Sequence, residues 1–168
     1  NYFGIIIWLV ICLVASEIFA RFGLGLGTPP LFITHSTIEY MLKPNQQILR
    51  FHKKYTVNQY GMRSQPFVQK KRIGENRIMV FGDSVINGGG LLNDSEIATS
   101  ILHDEYLQAD ILVGNISAPS WGPGNWLAYS EEYGFFEADV IVLVISGHDY
   151  TDNPTFQQLN QRTHPIKD

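Results

Sequence analysis

The apolar positions of the chain follow three different patterns along its length. Residues 2–20 are apolar apart from Ser16 and Glu17. A helix of this length spans roughly 28 Å, close to the thickness of the hydrocarbon core of a bilayer. The pattern therefore predicts a single membrane-spanning signal anchor over residues 1–22, in contact with membrane lipid through residues 2–20. A cleaved signal peptide and a buried core helix are the alternatives.

The second part, residues 23–76, carries short and mixed signals. Residues 23–32 are rich in Gly and Pro, which is typical of a linker that leaves the membrane. The segment "ILRFHKKYTV" alternates weakly enough to be a strand, and "KPNQQ" and "NQYGMRS" are typical of turns. We interpret this part as a linker and lead-in segment.

The third part, residues 77–168, alternates regularly between strand and helix patterns. The predicted elements are a strand at 77–81, a helix at 95–107 capped by Asp94 or Ser95, a strand at 111–113, a helix at 124–133 and a strand at 139–146. The last strand, "DVIVLVIS", is apolar on both faces, as central parallel strands are. This order predicts a parallel sheet with right-handed crossovers in an α/β layered domain.

Three polar clusters follow the three predicted strands. They are "GDS", "NISAPSWGPGN" and "SGHDYTDN". Ligands of parallel sheets bind at the carboxyl ends of the strands, where these clusters are expected to converge. The clusters therefore predict a binding or catalytic site at that edge.

Ser84 is the candidate for chemistry in the first cluster. It follows a strand at a sharp turn that Gly82 permits, so it can present its hydroxyl and its backbone N–H to a substrate. The run "NGGG" at residues 87–90 lets the chain approach a ligand closely. Because Gly-Asp-Ser also occurs in ordinary turns, the residues alone leave open whether Ser84 makes a turn or is a nucleophile.

Composition and charge narrow the function classes. The 168 residues carry a net charge of −4, which argues against a general nucleic-acid binder. Nine of the twelve Lys and Arg residues lie at positions 43–77, where Glu75 is the only acid. This segment is either a basic patch for lipid headgroups or an anionic polymer, or a solvated connection. The single cysteine, Cys12, excludes an intrachain disulfide.

Cofactor and metal signatures are missing from the sequence. The glycines after Ser84 are not followed by Gly-Lys-Ser/Thr, and no dinucleotide fingerprint is present. His148, Asp149 and Asp152 could suggest a metal, but no paired-His helix motif or Cys set accompanies them. We therefore expect no cofactor and no metal.

The region 58–152 resembles the GDSL-type, or SGNH, hydrolases, an esterase and acyl-transfer superfamily. The strand that ends in Gly82, Asp83 and Ser84, followed by Gly88, is similar to the first block of that family. The lead-in "NQYGMRS" is similar to the Asn-x-x-Gly-x-Arg of membrane-anchored members that modify envelope or exported polysaccharides. The resemblance implies a flavodoxin-like three-layer α/β/α fold with a parallel sheet.

The resemblance also implies roles for individual residues. Ser84 would be the nucleophile, with its own N–H as one oxyanion donor, and Asp83 would brace the turn. Asn115 matches the end of the second-block strand. Where that block has an oxyanion-hole glycine, this chain has Ser120, with Gly122 two residues on, and a backbone N–H of either residue would serve.

The third block departs further from the family. His148 stands where the family has asparagine, and its imidazole N–H can donate to an oxyanion, while Asp149 keeps the place of the following aspartate. The family takes its base from a late Asp-x-x-His, which this chain lacks. We therefore expect a chain truncated at the C-terminus, in which residues 77–168 form the first half of the domain and turnover is very low. His148, oriented by Asp149 or Asp152, is an alternative base.

The resemblance implies a membrane-anchored serine ester hydrolase or O-acyltransferase. Its substrate would be an acyl ester of a carbohydrate or envelope polysaccharide, its intermediate a Ser84 acyl-enzyme, and its single-pass body would lie outside the cytoplasm, in the periplasm. The alternative is a non-catalytic, membrane-anchored glycan-binding or scaffold module. Trp121 and Trp126 form either a sugar-stacking wall or part of the core. The sequence indicates no oligomeric state.

Overall fold

The chain begins with a long apolar helix. The computed structural model describes residues 1–107, 110–152 and 154. Helix α1 covers Tyr2–Ile18 and continues as a wider π-helical turn over Phe19–Gly23. The most apolar 18-residue stretch of the span Tyr2–Gly23 has a mean hydropathy of 2.5, and no residue of α1 is buried. By length and composition the span is long and apolar enough to cross a membrane, and it extends the predicted apolar helix by one turn.

Two antiparallel hairpins follow the helix. Their strands are β1 at Phe32–His35, β2 at Glu39–Leu42, β3 at Gln46–Arg50 and β4 at Lys53–Val57. The segment interpreted as one weak strand is therefore mostly a hairpin. Its two-residue turn has positive φ at both Phe51 (49°) and His52 (57°), which matches the type I′ geometry that suits strand twist.

A three-stranded parallel sheet forms the centre of the domain. Its strands are β5 at Asn76–Gly82, β6 at Ile111–Ser117 and β7 at Val140–Leu143, in the order β6-β5-β7. The helices are α2 at Ser84–Asn87, α3 at Ala98–Ile101 with a π-helical turn at Leu102–Tyr106, and α4 at Pro123–Tyr133. Because β5 lies between its two successors, the connection from β5 to β6 and the connection from β6 to β7 run in opposite directions across the sheet. The place where this direction changes, at the carboxyl ends of β5 and β7, is the usual ligand position in such sheets, and we call it the crevice. The predicted α/β class is confirmed.

Two predicted elements differ from the structure. The helix at 95–107 is broken into a 3₁₀ turn at Asp94–Glu96, helix α3 and the π-helical turn. Neither Asp94 nor Ser95 caps it; Asn93 precedes the first turn and donates its N–H to Glu96 Oε2 at 2.6 Å. The expectation that the last strand is buried on both faces is wrong for the described chain. All residues of β7 are exposed, so the described part of the chain leaves both faces of this strand largely uncovered.

The hydrophobic core joins the lead-in to the sheet. Its buried side chains come from the lead-in (Ile38, Tyr40, Met41, Met62, Phe67), from β5 and β6 (Met79, Phe81, Ile116) and from the segment around α4 (Ala118, Trp121, Trp126, Tyr129, Phe136). Burial of each large apolar side chain contributes about 1.5–3 kcal/mol. Most of the segment interpreted as linker and lead-in is therefore an integral part of the packed domain.

The predicted basic patch is only partly a surface. Arg63 and Arg77 are 1% and 0% exposed. The guanidinium of Arg77 donates to Glu75 Oε1 at 2.7 Å and to four backbone carbonyls, those of Val68, Gln69, Lys70 and Phe136. Buried guanidinium groups need such partners, because an unpaired buried charge is costly. These two arginines organise loops instead of facing an external anion.

Candidate functional site

The carboxyl ends of the three parallel strands bring the three polar clusters together. Asn87 Nδ2 in the first cluster donates to Ser117 O at the end of β6 at 3.2 Å. Ser146 Oγ, after β7, lies 3.1 Å from Asp83 Oδ2. A Cβ on Gly122 would lie 2.7 Å from Asp149 O, so the second and third clusters also touch. The convergence that the sequence predicted is present.

Ser84 is exposed at the first position of α2, directly after β5. The turn before it is tight, since a Cβ on Gly82 would lie 2.6 Å from Ile86 Cγ1. Asp83 accepts the N–H of Val85 with its Oδ1 at 2.8 Å, so its carboxylate braces the turn as expected. Within the described residues, the Ser84 hydroxyl has no hydrogen-bond partner.

Arg63 of the lead-in binds the loop that follows Ser84. Arg63 donates from Nη1 to Asn87 O at 2.6 Å and to Gly89 O at 2.7 Å, and from Nη2 to Leu92 O at 2.7 Å. Its guanidinium lies 4.1 Å from the centre of the Tyr55 ring. The sequence analysis did not assign Arg63 a role, although the lead-in motif "NQYGMRS" contains it.

Tyr55 adds a second contact from the lead-in. Its hydroxyl donates to Asn87 Oδ1 at 2.9 Å. Burial raises the pKa of Tyr55 to about 12, so the phenol stays protonated and remains a donor at neutral pH. Gly88 ends α2 with φ of 72°, and a Cβ there would lie 2.8 Å from Ile97 Cγ2. This glycine is required both by its backbone conformation and by the space around it.

The spacing of the lead-in motif has a local structural cause. Asn58 Oδ1 accepts the N–H groups of Tyr60 at 3.0 Å and Met62 at 3.1 Å, which folds the motif into a turn. Gly61 takes the left-handed conformation in that turn, with φ of 71°. The turn directs Arg63 inward, so an asparagine, a glycine and an arginine at this spacing build one clamp.

Asn115 supports the site without reaching the crevice. It is fully buried, and its Nδ2 donates to Ile86 O at 2.9 Å and to Thr99 Oγ1 at 3.1 Å. Its Oδ1 accepts the hydroxyl of Ser117. The side chain therefore connects β6 to α2 and α3, which agrees with a supporting role.

Ser120 and Gly122 differ in what their backbone N–H groups can bind. Ser120 is exposed with φ of 59°, at the third position of a turn closed by the Trp121 N–H to Ala118 O bond at 3.2 Å. This conformation favours glycine. The N–H of Gly122 already donates to Asn125 Oδ1 at 3.1 Å at the start of α4. Gly122 is therefore not available as an oxyanion donor, and Ser120 is the remaining member of the pair.

A cluster of two buried carboxylates lies beside His148. Asp83 and Asp149 are 1% and 0% exposed. Ser146 donates its N–H to Asp149 Oδ2 at 2.6 Å, and its hydroxyl lies 2.8 Å from Asp149 Oδ1. His148 Nε2 lies 3.4 Å from Asp83 Oδ2 and 4.0 Å from Asp149 Oδ1. The imidazole thus faces these carboxylates, and Ser146, which the sequence analysis did not single out, joins them.

The charge state of Asp149 follows from its partners. Burial by itself raises the pKa of its carboxyl group. The hydrogen bonds from the Ser146 N–H and hydroxyl, together with the nearby His148, outweigh burial and bring the pKa below its ordinary value. Asp149 is therefore an anion at neutral pH.

Asp83, His148 and Asp149 also form a possible donor set for a metal ion. One ligand atom from each lies within 4.8 Å of the others. Two carboxylate oxygens and an imidazole nitrogen are chemically suitable. However, Val85 and Ser146 already donate hydrogen bonds to these carboxylates. The expectation of no metal stays a prediction.

The two tryptophans belong to the core. Trp121 and Trp126 are 1% and 5% exposed, and their indole N–H groups donate to Tyr40 O at 3.0 Å and Gly82 O at 3.1 Å. Of the two alternatives, core packing is correct and the sugar-stacking wall is not. Trp126 instead holds the strand end that precedes Ser84.

One sizeable cavity in the described chain lies away from Ser84. It has a volume of about 730 Å³ and is lined from the lead-in, α3 and β6, by residues that include Lys54, Ser64, Thr99 and Val113. It contains neither Ser84 nor His148. We place the candidate site at the crevice because the reactive side chains and the strand ends meet there.

The fold and the site together define a class of protein. The chain is a mixed α/β protein with a three-stranded parallel sheet, a polar crevice at the carboxyl edge of that sheet and one apolar N-terminal helix. No protein-family model matches the chain, and no curated protein matches it in sequence. The function therefore has to be argued from the residues of the crevice.

Proposed function

We propose that this protein is a membrane-anchored serine ester hydrolase or O-acyltransferase of the SGNH type. The observation that carries the proposal is the position of Ser84, which is exposed after the middle strand, at a tight turn braced by Asp83. The crevice between β5 and β7 lies where the connections diverge, which is the usual ligand position in such sheets. The strand order β6-β5-β7 is the one with which a flavodoxin-like sheet begins.

The reaction would proceed through an acyl-enzyme. Ser84 Oγ attacks the acyl carbonyl carbon and passes its proton to a base, and the alcohol of the ester leaves with a proton. Two backbone N–H groups, those of Ser84 and Ser120, would donate to the oxyanion of the tetrahedral intermediate. Ser120 is exposed in the segment between β6 and α4, and its N–H forms no hydrogen bond with the described residues, which leaves it free to donate. Water or a sugar hydroxyl then takes the acyl group.

The base that accepts the proton of Ser84 is not in place in the described residues. No described side chain hydrogen-bonds to Ser84 Oγ. The imidazole of His148 lies beside Asp83, the residue before Ser84, and its side chain is 63% exposed, so it has room to change its orientation. His148 would therefore either donate a hydrogen bond to the oxyanion or act as the base that accepts the proton of Ser84.

The proposed substrate is an acyl ester of a carbohydrate or envelope polysaccharide. This choice rests on the resemblance of the lead-in to membrane-anchored members that modify such polymers. The apolar span Tyr2–Gly23 supports a membrane anchor. The placement of the body on the periplasmic side rests on the family resemblance alone. The crevice has acidic side chains in Asp83 and Asp149, so an uncharged ester suits it better than an anionic one.

A fluorophosphonate probe tests the proposal directly. The full chain in detergent micelles should gain one adduct, located by peptide mass spectrometry on Ser84, and the S84A variant should gain none. The S120A variant is the matched control: it keeps its backbone N–H and should still be labelled. Absence of labelling in folded protein, or equal labelling of S84A, would refute the nucleophile.

Two observations favour a second function. His148 faces Asp83 at 3.4 Å, and Ser84 Oγ has no described partner, as a non-catalytic glycan-binding or scaffold module would allow. Such a module would bind an acetylated oligosaccharide saturably in calorimetry, and the affinity would be the same for wild type and S84A. Labelling of Ser84 together with ester turnover would exclude it.

A further inference from the structure

We propose that the tip of the β3–β4 hairpin and the segment after α1 together rest on the surface of a bilayer that contains anionic phospholipid. We call this surface the membrane-proximal face and define it by Leu24, Leu26, Leu49, Arg50 and Lys54. The inference rests on the proposed membrane anchor, but not on the chemistry of Ser84.

Hydrogen bonds tie the hairpin tip to the chain that leaves α1. Phe51 donates its N–H to Gly25 O at 2.5 Å, and His52 Nε2 lies 3.2 Å from Gly23 O. Arg50 Nη1 donates to Gly27 O at 3.3 Å. The tip therefore has a fixed position relative to the end of the apolar helix.

Two glycines make this approach possible. Gly25 has φ of 65°, and a Cβ on it would lie 2.8 Å from His52 N. A Cβ on Gly27 would collide with Leu49 O. The Gly-rich segment that the sequence analysis interpreted as a linker is thus in close contact with the hairpin.

The position of the helix end determines the depth of the tip. The apolar span ends at Gly23, and Gly25 lies at most about 7 Å further along an extended chain. The headgroup region on each side of the hydrocarbon core is roughly 5–8 Å thick. A hairpin bonded to Gly23 and Gly25 therefore lies within or directly above the headgroups when the span crosses the bilayer.

The side chains of the membrane-proximal face suit that location. Leu24, Leu26 and Leu49 are 50%, 42% and 66% exposed. Neighbouring Arg21 and Lys53 are paired with carboxylates, whereas Arg50 and Lys54 form no ion pair with the described residues. Apolar side chains mixed with cations that form no ion pair are typical of surfaces that insert between anionic headgroups.

Depth-dependent quenching tests the proposal on the full chain in nanodiscs of phosphatidylcholine and phosphatidylglycerol. An environment-sensitive fluorophore is attached to L49C in a C12S background, and lipids with a shallow spin label serve as quenchers. Quenching at position 49 should be several-fold stronger than at the control L127C, since Leu127 is similarly exposed on α4. In the K54Q variant, or in phosphatidylcholine alone, quenching at position 49 should fall severalfold.

A label on the native Cys12 distinguishes failure of the membrane-proximal face from failure of the membrane anchor. Labelled Cys12, in the middle of the apolar span, should be quenched by deep spin labels. If Cys12 is quenched but position 49 matches position 127, the membrane-proximal face is refuted and the anchor stands. If Cys12 is not quenched, the anchor and this inference both fail, while the Ser84 labelling result is unaffected.

Discussion

Replacement of Arg63 by methionine should loosen the loop that carries Ser84. Methionine keeps the length and apolar stem of the side chain but removes the guanidinium. That group is fully buried and holds the carbonyls of Asn87, Gly89 and Leu92 at 2.6–2.7 Å. We expect R63M to be less stable than wild type. We also expect the fluorophosphonate probe to react with its Ser84 more slowly, even after the rate is corrected for the fraction of molecules that are folded.

The size of the effect follows from these contacts. A hydrogen bond that involves a charged group contributes about 1.5–3 kcal/mol, but removal of the charge also removes its desolvation cost. Loss of one member of a buried ionic network costs about 3–5 kcal/mol in total. Arg63 also lies 3.4 Å from Asp94 Oδ1, and the other oxygen, Oδ2, is buried without a partner. We therefore expect a decrease in Tm of about 10 °C in a chain of this size.

Thermal denaturation followed by near-UV circular dichroism in micelles measures the change. R72Q is the matched control, since Arg72 is an exposed arginine of the same segment, and its effect should stay within about 0.5 kcal/mol. R63K should lie between the two, because lysine keeps the charge but lacks the planar fork. If R63M and R72Q lose the same stability and label at the same rate, the clamp does not position Ser84.

Three further predictions address the backbone and the buried phenols. G82A should lose about 1–3 kcal/mol, because its Cβ would meet Ile86 Cγ1 at 2.6 Å, and a urea midpoint equal to wild type would contradict this packing. S120G should raise the free energy of unfolding by up to about 1 kcal/mol, because glycine adopts the left-handed conformation without strain, whereas S120A should not raise it. Equal urea midpoints for S120G and wild type would show that Ser120 is not strained. Stability should fall between pH 10 and about 12, because the unfolded chain loses the Tyr55 proton near the ordinary pKa while the folded chain keeps it to about 12. Denaturation at stepwise pH should show this fall, and the Y55F variant, which has no proton to lose there, should show less of it.

The sequence predicted the features that depend on periodicity. The apolar helix, the α/β alternation and the helix before Tyr133 are all present, because burial of one face or of a whole span imposes a repeat on the residues. The convergence of the polar clusters followed from the parallel order alone. Ser84 and Asp83 were found because they follow a strand directly.

The features that the sequence missed depend on distant partners. The turn at Phe51 and His52 has no Asn-Gly signal, and tertiary contacts with the segment after α1 hold it in place. The exposure of β7 cannot be derived from its composition, because an apolar strand looks the same whether or not its faces are covered. Likewise, a count of basic residues does not show that Arg63 and Arg77 bind backbone carbonyls.

The two buried arginines explain why the lead-in and the sheet form one unit. Arg77 lies near the start of β5 and binds the lead-in carbonyls of residues 68–70, while Arg63 belongs to the lead-in and binds the loop after the end of β5. Both ends of β5 are therefore bonded to the lead-in. At the first end the strand supplies the arginine, and at the second end the lead-in supplies it. The arginine contacts act together with the hydrogen bonds of Asp83, Asn115 and Trp126 in fixing the turn at Ser84. The position of the candidate nucleophile is thus set in part by residues that precede the α/β repeat, and the β3–β4 hairpin supplies one of them, Tyr55.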